Sequence, residues 1–139
     1  MTKEIFIPFN TPSSKNSKQW TGKFLVSNKN TQKWKKDTKK YWEENKADFL
    51  KQLEGLPKPY NIEFTFIRKS KHKFDYINPM QTVADEMVHH GWIDDDNVDE
   101  IKPFFGNYKY DKENSGVIIK VLNFNKMSFK DFKEIFNKK

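Results

Sequence analysis

Two acidic segments about twenty residues apart are the part of this chain whose residue types could do chemistry. The first contains Asp75, and the second contains the consecutive carboxylates Asp94, Asp95 and Asp96. Two carboxylates about 4 Å apart repel each other by roughly 4 kcal/mol at an effective dielectric constant near 20. A divalent cation relieves this repulsion, and ligation by oxygen alone suits magnesium or manganese. The pattern therefore predicts a Mg²⁺ site, at which Mn²⁺ could substitute.

Two other interpretations of the second segment stay open. It can be a solvated acidic turn, or a calcium-binding loop in which Asp94 and Asp96 have the required alternation. Asp99 argues against the calcium loop, because it stands at the sixth position, where such a loop needs glycine. A helix of about twelve residues between the two acidic segments spans roughly 18 Å. The segments therefore converge only if the chain folds back on itself.

The predicted helix between these segments carries further polar residues. Asp85 follows Gln81 by four residues, so both lie on one helical face. This face is either solvated or a border of the site, in which case Asp85 is a compensating carboxylate. His89 and His90 end the helix, where the helix dipole favours them without any further role, although metal ligation is the alternative.

The net charge of +7 is concentrated outside the acidic segments and predicts a polyanionic partner. A solvated lysine-rich surface is the alternative interpretation. The predicted phosphate contacts come from the loop at residues 11–17, from the first long helix and from the basic run before Asp75. They are Lys15, Lys33, Lys36, Lys40, Arg68, Lys69, Lys71 and Lys73.

Composition excludes several classes of protein. The chain has no cysteine, so it forms neither disulfides nor thiolate metal sites. The first nine residues are too short and too charged for a signal peptide, and nothing approaches the eighteen or so apolar residues of a membrane span. We expect a cytoplasmic protein with no membrane partner and no nucleotide cofactor.

Apolar periodicity predicts a single α+β domain with a small mixed β-sheet flanked by helices. Residues 1–124 form the body, and residues 125–139 form a C-terminal helical extension of the same domain. In chain order the predicted elements are a strand at 4–9, a strand at 22–27, a helix at 31–53, a strand at 61–67, a helix from 78 to 91, strands at 98–105 and 116–124, and a helix from 128.

Over about residues 4–122 the chain resembles the RusA family of Holliday junction resolvases. Residues 7–16, Ile-Pro-Phe-Asn-Thr-Pro-Ser-Ser-Lys-Asn, are similar to the family's proline- and serine-containing opening. The central block resembles the pattern Asp-x-Asp-Asn-x-x-Lys…Asp-x-Leu…Gly-x-x-x-Asp-Asp. In this sequence the block begins at Asp75, continues through Asp85, and ends with Gly91, Asp94 and Asp95.

This resemblance implies a RusA-like fold and a homodimer that binds branched double-stranded DNA in recombination and repair. It further implies a divergent phage or prophage type, acting in a bacterial host cell. The implied activity is magnesium-dependent hydrolysis of phosphodiester bonds at Holliday junctions. Asp75 and Asp95 match metal-ligand positions of the family, and Asp94 lies beside the second.

Two residues depart from the family's catalytic pattern. Ile77 replaces the second Asp of the Asp-x-Asp pair, and Gln81 replaces the catalytic Lys. Isoleucine offers no oxygen and glutamine no charge, and one electrostatic group contributes about 3–4 kcal/mol to catalysis.

Three functions follow from this departure. The first is an active endonuclease with a rearranged site. In it the missing ligand comes from Asp85, Asp94 or Asp96, and the missing charge from Lys71, Lys73 or Lys102. The second is a branched-DNA-binding protein that cuts weakly or not at all. The third is a phage protein that uses the fold to bind a host protein.

Overall fold

A computed structural model describes residues 3–12, 18–20, 25–27, 29–71, 73–74 and 76–124. Its elements in chain order are β1 (Ile5–Pro8), β2 (Lys18–Trp20), β3 (Leu25–Ser27), α1 (Lys29–Leu53), β4 (Tyr60–Arg68), α2 (Ile77–His89), β5 (Ile101–Phe105), β6 (Lys109–Tyr110) and β7 (Gly116–Leu122). Lys15, Asp75 and the predicted C-terminal helix lie outside the described residues. Within the described part the protein has the expected α+β class.

The main sheet is mixed, with strands in the order β1-β7-β4-β5 and with β6 pairing the far end of β4. Strand β4 runs antiparallel to β7 and parallel to β5 and β6. Alternating apolar residues of the two central strands, such as Ile62, Phe64 and Ile119, are fully buried. This alternation places one face of the sheet against the helices.

Helix α1 packs three aromatic side chains into the core. Trp34, Trp42 and Phe49 recur at near-helical spacing and are buried. Thr38 satisfies the polar groups between two of these rings, since its hydroxyl donates to the Trp34 carbonyl at 2.8 Å and accepts from Trp42 Nε1 at 3.1 Å. Neither helix in the described ranges is long and apolar enough to span a bilayer.

The predicted helices and strands that fall in the described residues are present as α1, α2, β1, β3, β4, β5 and β7. The predicted strand at 22–27 is present as β3, but it pairs with β2 in a separate two-stranded sheet. Strands β2 and β6 were not predicted, because two or three residues are too few for a periodic pattern. Helix α2 has Tyr76 as its N-cap, so Asn78 lies inside the first turn rather than capping it.

Candidate nucleic-acid interface

The acidic segment after α2 folds back along the helix that precedes it. Gly91, with a positive φ of 77°, ends the helix, and the backbone amides of Trp92 and Ile93 both donate to the Met87 carbonyl, at 2.8 and 3.4 Å. Trp92 is then buried against Trp42, whose carbonyl accepts its indole N–H at 3.0 Å. Docking of this one side chain sets the path of the following carboxylates.

The returning segment brings two distant carboxylates to one side chain. Gln81 Nε2 donates to Asp85 Oδ1 at 2.9 Å and reaches Asp96 Oδ2 at 3.4 Å, across fifteen residues of sequence. The amide therefore stands between two negative groups that would otherwise repel each other. We call Gln81, Asp85, Asp95 and Asp96 the acidic corner.

The three consecutive aspartates have different partners. Asp95 accepts the Asp96 backbone N–H at 2.8 Å and the Asn97 side-chain amide at 3.1 Å. These bonds, the backbone N–H first, lower the pKa of Asp95. Asp94 instead faces away and lies 3.3 Å from Lys58, which also pairs with Glu100 at 2.8 Å. The ion pair with Lys58 therefore separates Asp94 from the acidic corner.

The acidic corner by itself does not form a complete metal site. Among the residues that the structure describes, no group of three or more His, Asp or Glu side chains could hold a metal ion. Asp85 and Asp96 converge, but their meeting point is taken by the Gln81 amide. A magnesium ligand set would need a further carboxylate. Asp75, the predicted ligand, lies outside the described residues.

A polar groove runs between the two helices and ends at the acidic corner. Helix α1 lines it with Lys35, Lys36 and Lys39, and α2 lines it with Asp85, Glu86, His89 and His90. Its volume is about 580 Å³. We call it the α1–α2 groove. Because Asp85 belongs both to the groove and to the acidic corner, the two are continuous.

A buried acid and a histidine form the floor of this groove. Glu86 Oε2 lies 3.2 Å from His90 Nε2, and both side chains are almost excluded from solvent. The His90 ring is parallel to the Trp42 ring, with centroids 6.1 Å apart. His89 is exposed at the mouth of the groove. The pair therefore ties the groove wall to the aromatic core, while His89 is open to solvent.

The predicted phosphate-binding residues of α1 divide between two surfaces. Lys36 lines the groove. Lys33 pairs with Asp37 one turn along the helix, and the Lys40 ammonium lies 5.0 Å from the centre of the Tyr41 ring. Lys35 and Lys39, two further lysines of this helix, also line the groove. Their spacing of four residues places them on one helical face.

The basic run after β4 is partly structural. Arg68 donates to the Thr11 carbonyl at 2.8 Å, and its guanidinium lies 4.6 Å from the centre of the Phe74 ring. Burial lowers the pKa of Arg68. Lys69, Lys71 and Lys73 are exposed and able to meet a ligand. The contacts of Arg68 are therefore mainly structural.

The described residues define a small α+β protein with a basic groove beside a cluster of carboxylates. No protein-family model matches the chain, and a search of curated proteins gives no match.

Proposed function

We propose that the protein binds branched DNA, with one phosphate backbone lying in the α1–α2 groove. The observation that carries this proposal is the row of Lys35, Lys36 and Lys39 along one wall, with exposed His89 opposite. Lysines placed along a groove neutralise successive phosphates and release counterions, which is the main source of non-specific affinity for DNA. Such contacts position the duplex without reading its sequence.

Preference for a four-way junction, and a homodimer that presents two grooves to it, rest on the resemblance to the RusA family. The acidic corner gives the groove an electrostatic polarity. Phosphates are attracted along the lysine wall and repelled near Asp85 and Asp96, so a bound strand has one favoured path. A divalent cation at the corner would remove that repulsion.

Magnesium-dependent cleavage of the bound strand is the second candidate function. The convergence of Asp85 and Asp96 on Gln81, at the end of the groove, favours it. Magnesium at such a site orients a water molecule and stabilises the negative charge that develops on the phosphate. Asp95, whose pKa is lowered, is ionised at neutral pH beside this point. Cleavage requires Asp75 to complete the ligand set.

Binding is tested with a labelled four-way junction and a linear duplex of matched sequence. The variant that replaces Lys35, Lys36 and Lys39 with alanine should bind the junction at least tenfold more weakly. The slope of log K against log salt should fall by roughly 2–3, since each lost phosphate contact removes about 0.9. Fluorescence anisotropy over a salt series measures both quantities.

The matched control replaces three exposed lysines of the same helix outside the groove, Lys33, Lys40 and Lys51. It changes the net charge equally, so we expect a smaller loss of affinity and a smaller change in slope. Equal losses in the two triple variants would mean that the overall charge, and not the groove, holds DNA. If the protein binds the junction no more tightly than the linear duplex, the proposed preference for branched DNA is wrong.

Cleavage is tested by nicking of the junction with magnesium, manganese or a chelator. The three consecutive aspartates provide internal controls. Asp95→Asn and Asp96→Asn should abolish metal-dependent nicking, whereas Asp94→Asn, whose carboxylate faces Lys58, should leave most of it. If the unmodified protein binds junctions but does not nick them, cleavage is rejected as a function and DNA binding is not.

Gln81→Lys tests the departure from the family pattern directly. A lysine ammonium at this position would lie between Asp85 and Asp96 and supply the charge that the amide lacks. If the protein cleaves, we expect this variant to raise the nicking rate at least tenfold, because a single electrostatic group contributes about 3–4 kcal/mol to a transition state. Gln81→Met, which removes the amide without adding charge, is the control.

A further inference from the structure

We propose that the protein has a second nucleic-acid site, which binds an unpaired strand by stacking its bases on Tyr108 and Tyr110. These residues lie at the end of the sheet formed by β6 and the last residues of β4. Together with Phe74 and Tyr76 we call them the aromatic edge. The site is separate from the α1–α2 groove and does not depend on binding at the groove.

The backbone fixes the two tyrosines at the sheet edge. Tyr110 is paired with Arg68 in the parallel ladder between β6 and β4, and the next backbone amide, that of Asp111, donates to the Arg68 carbonyl at 2.9 Å. Tyr108 is 48% exposed and Tyr110 is 47% exposed, so both rings present an open face to solvent. Each tyrosine therefore has a backbone fixed in position and a ring exposed to solvent.

A chain of ring contacts supports Tyr108 from behind. Tyr108 meets Phe74 edge to face, with centroids 5.4 Å apart, and Phe74 meets Tyr76 in the same way at 5.5 Å. The Arg68 guanidinium lies over the Phe74 ring. A ring held in this way loses little conformational freedom when a ligand stacks on it, which favours binding.

The charge around the aromatic edge favours a polyanion. The Lys71 ammonium lies 5.2 Å from the centre of the Tyr110 ring. Of the described acidic residues in the turn after β6, the Asp111 carboxylate accepts the backbone amides of Glu113 and Asn114 at 3.0 and 3.1 Å. The described residues that precede Phe74 or flank Tyr110 in the chain include five exposed lysines: Lys69, Lys71, Lys73, Lys109 and Lys112.

An unpaired strand fits this surface better than a duplex. Exposed aromatic rings gain energy from the open face of a base, which a duplex hides within its stack. Lysines beside the rings then hold the phosphates between successive bases. Single-stranded DNA and single-stranded RNA share this chemistry, so the measurement has to separate them.

The test measures binding of the full chain to labelled oligothymidylate and oligouridylate of about 20 nucleotides, a length that covers one such site. The double variant Tyr108→Ala with Tyr110→Ala should bind at least tenfold more weakly, because it removes both rings on which bases stack. Replacing both tyrosines with phenylalanine should restore binding to within about threefold. Tighter binding of one oligonucleotide by the unmodified protein identifies the natural strand.

The control is Phe6→Ala, which removes a comparably exposed ring from β1 at the opposite edge of the sheet. It should leave binding of the oligonucleotides unchanged. The proposal is overturned if the alanine double variant binds like the unmodified protein, or if it loses linear-duplex affinity by the same factor. It is also overturned if the phenylalanine variant binds as weakly as the alanine variant. Loss of junction binding in the groove variants would not bear on this result.

Discussion

The α1–α2 groove and the aromatic edge both combine aromatic rings with nitrogen-bearing side chains, but they use them in opposite ways. At the groove the ring of Trp42 is buried, and the imidazole stacked on it, that of His90, is paired with Glu86. At the edge the rings of Tyr108 and Tyr110 are half-exposed, and the cation Lys71 lies over a ring. Aromatic side chains therefore build a wall in one region and an exposed surface in the other.

The largest expected difference between the regions is in stability. Trp42→Ala should lower the free energy of unfolding by about 3–5 kcal/mol, because it leaves a cavity among Trp34, Trp92 and His90. Tyr108→Ala, at the half-exposed edge, should lower it by about 1 kcal/mol or less. Urea unfolding followed by tryptophan fluorescence and by circular dichroism measures both. Equal losses would contradict the distinction between wall and surface.

The next largest expected difference in stability is between variants of Glu86 in the groove and of Arg68 at the aromatic edge. Glu86→Ala should destabilise the protein by about 2–3 kcal/mol, because it removes a charged hydrogen-bond partner from His90 in the interior. Arg68→Ala should cost about 1–2 kcal/mol, because this guanidinium is half-exposed and its contact with Thr11 is partly replaced by water. Asp85→Ala, an exposed neighbour of Glu86, is the control and should change stability by less than about 0.5 kcal/mol. A larger loss for Arg68→Ala than for Glu86→Ala would reverse the ranking.

The smallest contrast is between two turn carboxylates, one in each region. Hydrogen bonds lower the pKa of both: for Asp95 first the Asp96 backbone N–H, and for Asp111 first the Asn114 side chain. Because a lowered folded-state pKa stabilises the fold above the unfolded value, this contribution is present above about pH 4 and is lost as the pH falls through the folded value. Asp95→Asn and Asp111→Asn should therefore each reduce the acid sensitivity of unfolding.

Added magnesium should distinguish the Asp95 carboxylate from the Asp111 carboxylate. In a carboxyl NMR titration, added Mg²⁺ should lower the pKa of Asp95 further and leave that of Asp111 unchanged, since a nearby cation favours the ionised carboxylate. Equal responses of the two groups would reflect ionic strength alone and would count against a metal at the acidic corner.

Local pattern determined much of the fold. The apolar spacing along α1, α2, β4 and β7 predicted these elements and the burial of residues such as Trp42, Phe64 and Met87, because each element must turn one face to the core. The sequence also predicted that Gln81 and Asp85 share a helical face, and their hydrogen bond confirms it.

Tertiary structure alone decided how the chemistry-bearing residues are arranged. Nothing local to three consecutive aspartates shows that Asp94 turns to Lys58 while Asp96 returns to Gln81. That difference follows from the docking of Trp92 beside Trp42, a contact across fifty residues. The exposure of Tyr108 and Tyr110 likewise depends on the pairing of the two-residue strand β6 with β4. The period of apolar residues in the sequence shows which face of a helix or strand is buried. The relative positions of side chains in loops depend instead on packing between residues far apart in the sequence, which no local pattern predicts.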